Sequence, residues 1–136
     1  MTDPQVVHNS STKGRIGEYF VAYLLEKQGI ETSIVDRVGT DLFCRRPNGE
    51  MFSVEVKSAV KGILAHPTAK IPRMNYRIKE IRSDWYAFVD LTNELVVFKP
   101  RSELEEYAQK TYYVSAKEFS PFEMKKTLQL VKGFDD

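Results

Sequence analysis

Asp41, Glu55 and Lys57 are the residues of this chain whose types and spacing could do chemistry together. They lie in the stretch Thr40 to Ser58, TDLFCRRPNGEMFSVEVKS, which reads as two β-strands joined by a tight Pro-Asn-Gly turn. Side chains of a strand alternate between its faces, so Phe52, Val54 and Val56 pack one way while Ser53, Glu55 and Lys57 point the other. A Glu and a Lys two apart on one strand face are most often a solvated or salt-bridged surface. Asp41 changes the reading, because the turn folds its strand back and brings its carboxylate toward Glu55. Two carboxylates held together repel unless a cation sits between them, and an oxygen-only donor set suits Mg²⁺. A Lys beside such a metal orients or deprotonates a water and offsets charge on a phosphate. Phosphodiester hydrolysis requires those parts.

The elements that must position these residues can be read outward from them. Arg46-Pro47-Asn48-Gly49 suits a type I turn, with Gly49 supplying the positive φ of a three-residue hairpin loop. Upstream, Ser10-Ser11-Thr12 offers N-cap positions for a helix running to about Gln28, followed by Gly29 and a strand from Ile30 to Arg37. Ile16, Phe20, Tyr23 and Leu24 repeat at helical spacing, and Val21 and Leu25 widen the apolar stripe. Glu18 falls close in azimuth to Leu25, at the edge of that stripe, where it can face the sheet; the ordinary alternative is a solvated helix Glu. Gly14 and Gly17 cost helix stability, and small residues there let the helix approach a strand or a phosphate.

Downstream, Trp85–Leu91 and Glu94–Lys99 form a second strand pair around Thr92-Asn93, dense enough in apolar residues to be sheet interior. Ser102-x-x-Glu105 and Ser115-x-x-Glu118 have the form of capping boxes, on either side of a short strand from Thr111 to Val114. Ser120-Pro121-Phe122-Glu123 starts a last helix that presents Phe122, Leu128 and Val131 for packing or a dimer contact and ends by Gly133.

Composition sets the bounds. The 136 residues suit one domain with a loose arm at 1–9, and 42% apolar with 29% charged residues describes an ordinary soluble protein. The single cysteine, Cys44, excludes an internal disulfide and a cysteine-built zinc site, so the expectation is a reducing, cytoplasmic setting. His8 and His66 are too far apart in the chain to read as a ligand pair. No apolar run approaches the roughly 18 residues of a membrane helix. Net charge is only +1, so any argument for nucleic acid must come from local clustering. Such a cluster follows the Glu-x-Lys strand directly. Between Ala59 and Arg82 stand Lys61, Lys70, Arg73, Arg77, Lys79 and Arg82 against one acid, Glu80, with Asn75 and Tyr76 interspersed. The position of this charge favours a mobile segment that contacts phosphates.

The order of helix with Glu18, strand, Asp41 strand, turn and Glu-x-Lys strand resembles the PD-(D/E)xK nuclease superfamily, the restriction-endonuclease-like fold. Gly14-x-x-Gly17-Glu18, Gly39-Thr40-Asp41-Leu42 and Val54-Glu55-Val56-Lys57 are similar to motifs of archaeal-type Holliday junction resolvases and of compact homing and phage endonucleases. The strands at Asp84–Asp90 and Leu95–Pro100 look like the pair that follows the core in those enzymes, so the likeness spans about residues 13 to 100. Thr40 stands where the superfamily name has Pro, a position of backbone geometry and no metal ligand. A Gln-x-x-x-Tyr pattern of another branch occurs at Gln109 to Tyr113, far along the chain from the motif, and is set aside as coincidence.

The resemblance implies an α/β domain with a mixed central sheet flanked by helices and a DNA endonuclease dependent on Mg²⁺ or Mn²⁺. Asp41 and Glu55 would hold the metal with the backbone carbonyl of Val56, Lys57 would position the attacking water, and Glu18 would be an auxiliary carboxylate. Arg73, Asn75, Tyr76 and Arg77 are types suited to base-edge contact, which leans toward a homing or restriction-like duplex cutter over a junction resolvase. Cutting both strands takes two sites, hence a homodimer or tetramer. The alternatives of another class are a non-catalytic nucleic-acid-binding protein of the same fold and a plain interaction domain.

Overall fold

The turn after Arg46 sets the register of the site. In the computed structural model, which describes residues 10–37, 40–59 and 73–133, the Arg46 N–H donates to the Glu50 carbonyl at 2.8 Å and the Gly49 N–H to the Arg46 carbonyl at 2.9 Å. Gly49 has φ of 95°, a left-handed conformation that glycine adopts without steric cost. This turn joins β2 (Thr40–Arg45) to β3 (Met51–Ala59), pairing Leu42 with Val54 and Cys44 with Phe52.

Ahead of this hairpin run α1 (Ser10–Lys27) and β1 (Glu31–Arg37); after it come β4 (Arg73–Ile78), β5 (Trp85–Asp90) and β6 (Leu95–Pro100). The chain then forms α2 (Arg101–Leu104), β7 (Lys110–Ser115) and α3 (Pro121–Lys132). The main sheet has the order β1-β2-β3-β5-β6, with β3 and β5 parallel and the other neighbours antiparallel. β4 and β7 pair antiparallel as a separate two-stranded sheet. The protein is therefore a mixed α/β fold with helices against a mixed central sheet, as the sequence implied.

Alternation along the strands divides the core in two. Leu42, Val54, Ala87, Val89, Val96 and Phe98 point to one face, where they pack with Val21 and Leu25 of α1 and Leu128 and Val131 of α3. Tyr86, Phe88 and Val97 point to the other, under Ile78, Tyr112 and Val114 of the small sheet, with Leu104 and Phe119. The β1–β2–β3 half of this second face is not roofed by the small sheet in the same way; Phe43 and Met51 there remain exposed.

Several expectations need correction. Ile16 and Tyr23 lie on the exposed side of α1, and the packed line is Val21 and Leu25, both fully buried. The helix is apolar on two sides, and only docking selects one. α1 starts at Ser10, so Ser11 and Thr12 lie in its first turn and not ahead of it. Ser102 makes no capping box: α2 starts at Arg101, directly after Pro100, and no side chain caps it. Instead the Arg101 N–H donates to the Asp84 carbonyl at 2.8 Å. The Ser115–Glu118 box does form, around a single 3₁₀ turn. Ser120 caps α3 through the Glu123 N–H at 3.1 Å, yet Phe122 beside it is 71% exposed and belongs to no core. The latter part of the basic segment is a strand, β4, where a mobile segment was expected. The arm at 1–9, the turn at 38–39, Lys61, His66 and Lys70 lie outside the described residues. No described helix is long and apolar enough to cross a membrane.

Candidate active site

Asp41 lies where the β2–β3 ladder opens. The paired register ends at Leu42 and Val54, and the β1–β2 register slips between Ile34 and Arg37. Such irregularities bend a strand and re-aim its side chains. In place of the next ladder bond, the Val56 N–H donates to the Asp41 carboxylate at 2.7 Å. A residue in an extended strand presents its N–H and C=O to the same edge. The Val56 carbonyl therefore projects from the edge that Asp41 occupies.

Extending the register by one residue places Asp41 opposite Glu55, and both follow the face opposite to buried Leu42 and Val54. Glu55 is mostly buried (side chain 15% exposed), and the Lys57 ammonium meets its carboxylate at 2.6 Å. Tyr86, beside Glu55 in the parallel β3–β5 register, completes the floor. Its hydroxyl accepts from the Arg82 N–H at 3.1 Å and donates to the Glu80 carbonyl at 3.4 Å, tying the β4–β5 connection to the sheet. Burial pushes the Tyr86 hydroxyl pKa upward, with the Glu55 charge adding to the rise.

Glu55, Lys57 and Tyr86 form one side of a cavity of about 550 Å³. Its other side is the end of the small sheet: Arg77, Ile78, Lys79, Glu80 and Gln109. Arg77 and Lys79 are exposed, and among the described residues no carboxylate pairs with either. An anion entering the cavity thus meets two uncompensated cations across from the acid–lysine pair.

Glu18 arrives differently. It shares the azimuth of fully buried Leu25 and is half-buried itself, on the helix that covers the opposite sheet face. Its neighbour Gly17 abuts Ser58, one residue beyond Lys57: a Cβ on Gly17 would stand 1.8 Å from the Ser58 Oγ. Glu18 therefore comes to the same end of β3, but no group of three or more His, Cys, Asp or Glu side chains among the described residues is arranged to hold a metal ion. The fit of a cation rests instead on Asp41, Glu55 and the Val56 carbonyl. That is an all-oxygen set with few protein ligands, which suits Mg²⁺ because it retains several waters and takes one or two carboxylates.

The remaining sequence candidates divide. Arg73 and Asn75 lie in β4. Tyr76 packs at a tilt against Phe88 with ring centroids 4.7 Å apart and lies on the second core, so its ring is engaged in the interior and is not presented to a base edge. Burial drives its hydroxyl pKa well above the usual tyrosine value. Arg82 is held by Glu80 at 2.6 Å. Arg77 and Lys79 are at the cavity. Gln109 is the residue that sequence reasoning passed over: its distance along the chain from the motif is cancelled by the β4–β7 pairing, while Tyr113 does not line the cavity.

No protein-family model matches the chain, and no curated protein matches it at a significant level. Among solved structures, it is similar to a bacterial homing endonuclease, I-Ssp6803I, with a TM-score of 0.65 over 92% of this chain and 94% of that one, at 16% sequence identity. The likeness is one of fold.

Proposed function

We propose that this chain is a metal-dependent DNA endonuclease of the PD-(D/E)xK type that cuts duplex DNA. The observation that carries the reading is the constellation at the opened end of β3. Asp41 holds the Val56 N–H beside Glu55, Lys57 is bonded to Glu55, and Arg77 and Lys79, paired with no carboxylate among the described residues, line the same cavity as Glu55 and Lys57. The fold of a homing endonuclease, shared over nearly the whole chain, supports the same class.

Asp41, Glu55 and the Val56 carbonyl are the residues that would hold Mg²⁺ or Mn²⁺. When bound, such an ion supplies Lewis acidity at a phosphoryl oxygen and lowers the pKa of a coordinated water. Lys57 holds and orients a water at its ammonium and counters the negative charge that develops on the phosphate. Arg77 and Lys79 attract and seat the anionic backbone. Glu18, brought to this end of β3 by the docking of Gly17 on Ser58, would be an auxiliary carboxylate. A single chain carries one such centre, so double-strand cleavage calls for a homodimer or larger assembly.

The test is incubation of plasmid, linear duplex and four-way junction with the protein, with and without Mg²⁺. Asp41→Asn should abolish cleavage while binding duplex equally or more tightly, since carboxylate–phosphate repulsion is relieved; Lys57→Ala should abolish cleavage with the fold intact. Unchanged cutting by either purified variant refutes the mechanism. Preference for the junction over duplex by about a hundredfold, roughly 2.7 kcal/mol, would make the protein a junction resolvase instead.

A further inference from the structure

Gln109 joins the two layers of the cavity wall. It is a non-glycine residue with φ of 67°, in the left-handed region that side chains other than Asn, Asp and His seldom adopt. Such conformations persist only where surrounding structure over-determines them, and they gather at functional sites. Here two bonds do so, both to the end of β4. The Gln109 N–H donates to the Ile78 carbonyl at 2.6 Å, and its side-chain amide donates to the Lys79 carbonyl at 2.8 Å. The register Ile78↔Lys110 continues to place Gln109 across from Lys79. Fixing that carbonyl fixes the peptide plane after Lys79. Together with the bond to the Ile78 carbonyl, this holds the backbone at the end of β4 and just beyond it, from which Arg77 and Lys79 meet the cavity.

We infer that Arg77 and Lys79 form a subsite for a backbone phosphate flanking the scissile one, and that Gln109 is its positioning residue. The inference rests on the endonuclease reading of Asp41, Glu55 and Lys57. The scissile phosphate belongs at that centre, and the opposite wall, where Arg77 and Lys79 pair with no carboxylate among the described residues and Glu80 is taken up by Arg82, is placed to take the next phosphate along the strand. Phosphate contacts of this kind set position on the duplex and carry no sequence information. Gln109 touches no substrate in this scheme; it acts through the Lys79 carbonyl.

The experiment measures cleavage and salt-dependent binding of a random-sequence duplex by the full chain. Gln109→Gly removes the amide but accepts the left-handed backbone freely, so its melting temperature should equal or exceed that of the wild type. It should raise the duplex concentration for half-maximal cleavage about tenfold, with the maximal rate falling less than threefold, and should shallow the log affinity–log salt slope by about one unit. Arg77→Gln with Lys79→Gln should shallow it by about two. In that double background, Gln109→Gly should add less than a twofold effect. A Gln109→Gly protein that binds and cuts like the wild type overturns the positioning role, as does a tenfold loss that persists in the Arg77→Gln/Lys79→Gln background. Wild-type protein that neither cuts nor binds DNA with Mg²⁺ present would sink the endonuclease reading itself. Normal wild-type cleavage with an inert Gln109 removes only this inference.

Discussion

Gly17→Ala tests how closely α1 is docked on the strand that carries the candidate site. A Cβ there would lie 1.8 Å from the Ser58 Oγ, 3.0 Å from the Ser58 Cβ and 3.4 Å from the Val56 Cγ1, whereas a Cβ on Gly14 meets nothing within 4 Å. Both glycines are in α1, so alanine brings each the same helix-propensity gain of about 1 kcal/mol. At Gly14 that gain stands alone. At Gly17 the serine hydroxyl must rotate, and the Ser58 Cβ, fixed to the backbone, still forces helix and strand apart by tenths of an ångström. Overpacking of this kind costs about 1–3 kcal/mol. The two variants should therefore differ by about 1–3 kcal/mol, with Gly14→Ala more stable than wild type and Gly17→Ala no more stable than it. Urea denaturation followed by circular dichroism would read this. The Ser58 Oγ is buried with no hydrogen-bond partner among the described residues, so Ser58→Ala should be nearly neutral alone. Combined with Gly17→Ala, it should recover about 0.5–1.5 kcal/mol as a coupling energy. Because Val56 is pushed by the same contact and its N–H holds Asp41, cleavage by Gly17→Ala should fall further than stability alone explains. Equal stability of the Gly14→Ala and Gly17→Ala proteins would refute the close docking.

Two further outcomes follow from burial. Cys44 is 1% exposed and its thiol is pushed up to about 11, by burial first and the Glu26 charge second, against the opposing pulls of Thr32 and Arg46. The native protein should resist a thiol reagent at pH 8 while the urea-unfolded chain reacts at once; a stoichiometric burst from native protein would contradict this placement. Tyr112 donates to Glu103 at 2.7 Å, and burial, then that bond, raises its pKa above the usual tyrosine value. At Lys99 burial favours the neutral amine, but the hydrogen bond and charge of Glu118, with Glu103 behind them, outweigh it and raise the pKa. Both groups have folded values above unfolded ones, so their stabilisation is complete below about pH 10 and is lost as pH rises beyond it. Tyr112→Phe should flatten the fall of stability above pH 10 by about 1.4 kcal/mol per pH unit, measured as denaturation midpoints from pH 8 to 11; an unchanged slope would rule the coupling out.

The meeting of Asp41, Glu55 and Lys57 at one end of β3 was readable because what brings them there is local. The Arg46–Gly49 turn specifies a hairpin that brings Asp41 to the Val56 N–H, period-two alternation puts Glu55 and Lys57 on one face, and neither step needs the rest of the chain. The caps at Ser115 and Ser120 were readable for the same reason, since their partners lie two or three residues away. Ser102 has the same pattern but no cap, because Pro100 and the Asp84 carbonyl start α2 two residues earlier.

What tertiary structure alone decided depends on contacts between distant segments. α1 offers two apolar sides, and 3.6-residue periodicity cannot rank them; packing against the sheet buried Val21 and Leu25 and left Ile16 and Tyr23 outside. Two glycines in one helix look alike until one of them meets Ser58. Tyr76 among basic residues reads as a base-edge contact, but β4 pairs with β7 and turns that ring onto Phe88. The same pairing lifts Gln109 from obscurity to the cavity wall. Non-local pairing leaves no periodic trace in either partner strand, because each strand's alternation records which side is buried and never which segment lies alongside.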